Sequence, residues 1–95
     1  MDDEFLPASM DVARFELRCR HSADQIGRDD YYAITRALIP GGSLLFTWGG
    51  RRKAAESRRA GLDALARVAD LLHESSHLAL FCAITELAEK ESASR

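Results

Sequence analysis

The sequence is poor in the residues that break helices, staple small folds or build metal sites. Only two prolines, Pro7 and Pro40, occur in 95 residues, which leaves long stretches free to stay helical. Cys19 and Cys82 show neither a CxxC nor a zinc-ribbon spacing. That excludes a cysteine framework and leaves two small, semi-buried hydrophobes in a reducing compartment. No apolar run approaches the roughly 20 residues that span a bilayer, and Met1-Asp2-Asp3-Glu4 is acidic where a secretory signal is basic. A cytoplasmic protein with no membrane partner is expected. A basic excess is missing too: 13 Lys and Arg stand against 15 Asp and Glu, for a net charge of -2. Nucleic acid is therefore not an expected partner.

What is present is 46% hydrophobic and 29% charged residues, the composition of one compact domain whose single core is adequate but not generous. Residues 1–9 are acidic, contain Pro7 and read as a loose arm with Phe5 and Leu6 as anchors. Residues 10–91 form the globular domain, and 92–95 a tail.

From Arg14 to Arg20, Phe15, Leu17 and Cys19 alternate with Arg14, Glu16, Arg18 and Arg20. That two-residue period predicts a half-buried strand. A helix starting at Ser9 would instead align Val12, Phe15 and Cys19. Ser22 with Gln25 resembles a capping box, and Asp29 or Asp30 offers a second N-cap. The helix that follows carries Tyr31, Ile34, Ala37 and Leu38 inward until Pro40-Gly41-Gly42 stops it. Ser43 to Trp48 reads as a brief strand between glycine pairs.

From Ser57 to Lys90 only Gly61 weakens a helical pattern, which predicts one long helix or two with a kink near Ser75-Ser76. Leu62, Leu65, Ala69, Leu72, Leu80, Ile84 and Leu87 make one stripe, while Leu71, Leu78 and Phe81 lie off it. The wider apolar surface calls for a second cover, either another copy or a different protein. Arg51, Arg52, Lys53, Arg58 and Arg59 crowd one end of this segment, and Glu86, Glu89 and Glu91 the other. Both clusters oppose the helix dipole, so an antiparallel homodimer would bring each against its complement.

His73-Glu74-Ser75-Ser76-His77 spells H-E-x-x-H. In zinc peptidases this spacing puts two imidazoles on one helix face, with the glutamate activating a metal-bound water. A catalytic zinc needs a third ligand, and no histidine follows His77. Glu86 and Glu89 lie more than roughly ten ångströms further along the same helix, at about 1.5 Å per residue. A small zinc-dependent hydrolase, with His73 and His77 as ligands and Glu74 as base, is thus the competing reading. Gly49-Gly50-Arg51-Arg52-Lys53 lacks the spacing of a P-loop and reads as a basic cluster that meets an acidic surface. Trp48, Phe46 and Tyr31-Tyr32 are the large aromatic groups able to anchor an interface.

Leu45-Phe46-Thr47-Trp48-Gly49-Gly50, then Ala60 to Leu72 and Leu78-Ala79-Leu80, resemble small pseudomonad helical proteins of unknown function, in which a short apolar segment ending in glycine precedes a helix reading A-L-x-x-A-S-x-L-L. The likeness covers about half the chain, and the basic insert Arg51 to Arg59 and the two histidines depart from it. In size and character the chain is similar to bacterial anti-activators such as QslA, dimeric helical proteins that bind a quorum-sensing transcription factor.

The expected fold is mainly α, with α+β the alternative: a long C-terminal helix, a shorter N-terminal helix, up to two short strands, and a helical dimer. The expected function is non-enzymatic and needs no cofactor. Leu71, Leu78, Phe81 and Trp48 would contact another protein, and Arg51, Arg52, Arg58 and Arg59 would steer it.

Overall fold

The computed structural model describes the backbone of residues 2–39 and 50–93, and the side chains of 10–39 and 52–90. Four α-helices lie among these residues: α1 (Asp2–Ser22), α2 (Arg28–Ala37), α3 (Gly50–Val68) and α4 (Glu74–Ala93), with a 3-10 turn at Ala69–Leu71 joining the last two. The fold is mainly α. The expected strand at Ser43 to Trp48, with Phe46 and the Pro40-Gly41-Gly42 stop, lies outside the described residues.

The expected strand from Arg14 to Arg20 is instead helix, part of α1, which also takes in residues 2–9, the segment expected to be an arm. The alternation misleads because Leu17 belongs equally to a helical face. With Met10 and Ala13 it completes an i, i+3, i+7 pattern, and Ala13 and Leu17 are almost fully buried. Phe15 and Val12 turn outward, 63% and 62% exposed, and Cys19 is exposed beside them. The helical stripe drawn through Val12, Phe15 and Cys19 is thus the solvent side.

α1 ends where Asp24 adopts φ 63°, a left-handed conformation that Asp tolerates better than most residues. The Gln25 N–H donates to the Arg20 carbonyl (2.9 Å) and the Asp24 N–H to that of His21 (3.0 Å), the paired bonds of a Schellman motif. The Ser22–Gln25 capping box does not form, since Gln25 accepts from the Arg20 guanidinium instead. Gly27 occupies the N-cap of α2 without a side-chain cap, leaving Asp29 and Asp30 in the first turn to complement the dipole. Ile34, Ala37 and Leu38 are buried as expected.

The expected long helix is broken in two at residues 69–73, just before the anticipated kink near Ser75-Ser76. After the 3-10 turn, Leu72 is extended (φ -108°, ψ 151°) and α4 starts afresh at Glu74. The cause lies in the core. Leu65 and Leu80 belong to one buried cluster, yet in a continuous helix they would stand about 22 Å apart along the axis. Only a turn between them brings both halves of the stripe to the same interior. It also separates the basic and acidic clusters onto different helices, so the dipole argument for an antiparallel dimer no longer applies.

The helices form two pairs, α2 with α3 and α1 with α4, joined mainly where α3 meets α4. Together they fill a flattened volume of 36 × 35 × 19 Å. α2 and α3 approach at Gly61, where an added Cβ would run into Ala37 Cβ and stand 3.0 Å from the Ala33 carbonyl oxygen. Gly61, read in sequence as a weak point of a helix, is the contact that lets two helices touch. In an exposed helix, Gly→Ala would stabilise by about 1 kcal/mol. Here Gly61→Ala is expected to destabilise by roughly 1–2 kcal/mol, because overpacking outweighs propensity. Urea unfolding measures the sign, and a gain in midpoint would refute this close approach.

Candidate functional site

The residues expected to carry function cluster around the start and outer flank of α4. His73 precedes the helix and caps it: its carbonyl accepts the first helical bond from the His77 N–H (2.9 Å), and its Nδ1 accepts from the Ser75 N–H (3.2 Å). The Ser75 hydroxyl lies 2.9 Å from the same nitrogen. Because Nδ1 accepts a backbone proton, the ring proton sits on Nε2.

A carboxylate from the other end of the sequence completes this cap. Glu16 of α1 accepts from the His73 N–H at 2.9 Å and from the hydroxyl of buried Ser76. Arg20 lies 3.6 Å from it on the α1 side. A negative charge at a helix N-terminus is favoured by the dipole, and these donors are ones the helix cannot satisfy itself. Burial, the largest single influence, pushes the Glu16 carboxyl up, but the bonds from Ser76 and His73 and the charge of Arg20 together hold it below the usual carboxylate range.

This geometry bears on the H-E-x-x-H reading. The zinc spacing depends on both imidazoles standing on successive turns of one helix. His73 is outside the helix, with its ring folded over the first turn, while His77 lies within it. Among the described residues, no three His, Cys, Asp or Glu side chains converge in a way that could hold a metal ion.

The expected partner-binding residues fall into three groups. Leu78 and Phe81 are 48% and 46% exposed, one turn apart on α4, and Leu71 is exposed in the 3-10 turn before it. Arg52 and Arg59 are exposed on α3. Arg58 is a correction: only 2% exposed, it donates from Nη2 to the Ile39 carbonyl at 3.0 Å and so tethers the segment after α2. A buried guanidinium cannot steer an approaching partner. Its neighbours in the basic run gave no sign of this, because burial at that position follows from the helix phase set by Ala54, Gly61 and Leu65. Trp48 and the side chain of Arg51 lie outside the described residues.

Sequence reasoning missed the exposed Val12 and Phe15, assigned to a strand or core stripe, and the capping role of Glu16. The i, i+4 spacing of Glu16 and Arg20 was visible, but nothing local connects Glu16 to a helix 57 residues away. No described helix is long and apolar enough to cross a membrane. No protein-family model matches the chain, and it matches no curated protein and no solved structure.

Because the folded-state carboxyl of Glu16 is depressed relative to its ordinary value of 4.5, its contribution is present above that value and lost as pH falls through the lower, folded-state value. Glu16→Gln should therefore cost about 1 kcal/mol at neutral pH, the usual worth of a helix cap. Its unfolding midpoint should converge with that of the unaltered chain under acid. A pH-independent difference would show that the charge is not what the junction uses.

Proposed function

We propose that the chain is a non-enzymatic regulator or adaptor that binds another protein through the outward flank of α4, acting as an anti-activator on a transcription factor or another bacterial protein. The observation that carries this reading is the exposure of Leu78 and Phe81 at i, i+3, with Leu71 close by in sequence. Scattered surface hydrophobes are ordinary, but large apolar groups sharing a helix face favour a cover. Desolvating them recovers free energy in proportion to the apolar area buried, and Leu78 and Phe81 supply the central contacts. The exposed guanidiniums of Arg52 and Arg59 accelerate encounter with an acidic surface more than they hold it. A second copy of the chain covers the same flank when the partner is absent, giving a homodimer.

The experiment is light scattering at micromolar concentration on the unaltered protein and on the Leu78→Asp, Phe81→Asp double variant. The unaltered chain should run as a dimer and the variant as a monomer with the same far-ultraviolet circular dichroism, since both side chains lie at the surface. A monomeric unaltered protein would overturn the dimer. Assembly retained in the variant would place the interface on another face.

A further inference from the structure

We propose that the cleft between α1 and α2 binds a small aliphatic carboxylate. The two helices are joined at their turn by the stack of His21 on Tyr31, with ring centroids 4.1 Å apart and planes within 4°. Beyond it they touch sparingly, and the gap leaves a partly open cleft of about 300 Å³. That volume is at the lower end of small-molecule sites.

The chemistry of the lining selects the ligand. Leu17 and Leu38, both buried, give the cleft an apolar floor, and Ile39 extends it toward solvent. Arg14 and Arg18 stand one helical turn apart at its side, and like charges at that spacing disfavour a helix unless something neutralises them. Neither has an ion-pair or hydrogen-bond partner among the described residues. Asp11 lies one turn before Arg14 on the same helix but is not ion-paired with it, and Glu16, between the two arginines, is engaged with His73, Ser76 and Arg20. Among the described residues no carboxylate lines the cleft, and the Thr35 hydroxyl already donates to the Tyr32 carbonyl at 3.1 Å. The charged donors at the cleft are thus the two guanidiniums, whose planar forks match a carboxylate, with Tyr31 also on the cleft wall. An apolar floor beneath two unneutralised guanidiniums fits an anionic head on a hydrocarbon chain. A neutral lipid would leave the charges unmet, and a bare inorganic anion would leave the floor wet.

Calorimetric titration of the full chain with octanoate, 1-octanol, octylamine and acetate tests this. Octanoate should bind saturably, and at least about tenfold more tightly than each of the other three, since loss of either the head or the chain removes one recognition element. In an Arg14→Gln, Arg18→Gln variant, whose surface substitutions should leave the helical spectrum unchanged, octanoate affinity should fall to that of 1-octanol. Amide shifts at Leu17, Thr35 and Leu38 should report the binding in the unaltered protein. Octanoate binding no tighter than octylamine, binding unaltered by the double substitution, or shifts confined to other residues would each overturn the proposal. It is independent of the α4 reading: the Leu78→Asp, Phe81→Asp variant should still bind octanoate.

Discussion

The structure turns on one carboxylate. Glu16 reaches from α1 to the first residues of α4, where it meets the His73 amide and the Ser76 hydroxyl. The helix needs that acceptor because the break after Val68 exposes a fresh N-terminus, with its unsatisfied donors, at the place where α4 must enter the core. α4 begins beside Glu16, six residues short of the end of α1, so its extensive contact with α1 requires it to run back toward the start of that helix. The break, the cap and the pairing of the two helices are therefore one arrangement. Without the break, Leu65 and Leu80 could not share an interior. Without the cap, the first donors of α4, the His73 amide and the buried Ser76 hydroxyl among them, would lose their protein acceptor.

The second constraint is closeness. α2 is only ten residues long, too short to be stable alone, and it holds its place by lying against α3 at Gly61. Arg58, one turn earlier on α3, ties the carbonyl of Ile39 to the same helix, and Arg67 binds Asp30 through Nε and Nη2 at 3.2 and 2.8 Å at the opposite end of α2. The Arg67–Asp30 pair is exposed and contributes little energy, but it fixes which end of α2 faces which end of α3. Firm attachment of α2 to α3, and of α1 to α4, leaves the α1–α2 side loosely packed, which is why a cleft opens there.

Much of the helical content was legible in sequence because it rests on local rules. The stripe through Leu65, Leu72, Leu80 and Ile84 is buried in the structure as its periodicity implied, and Ile34 and Ala37 likewise face inward. What failed depends on contacts distant in sequence. The strand expected at Arg14 to Arg20 arose because Leu17 satisfies both a period of two and the helical pattern, and only the position of α4 decides between them. The break near His73 carries no proline or glycine signal. It is imposed by the size of the core and stabilised by a carboxylate far away in the chain. Of the candidate site, the exposure of Leu71, Leu78 and Phe81 followed from their angular offset. The burial of Arg58 did not, because a basic run looks the same whether or not one of its members turns inward.

Hydrogen exchange at the His73 amide tests this account most directly. His73 is exposed and precedes the helix, so its N–H has no intrahelical acceptor and should exchange at the rate of an open chain unless Glu16 holds it. The account predicts marked protection at neutral pH that disappears in Glu16→Gln while the central amides of α4 remain protected. An unprotected His73 amide in the unaltered protein would contradict it, and would mean that α4 starts without the carboxylate on which the rest of the structure has been argued to depend.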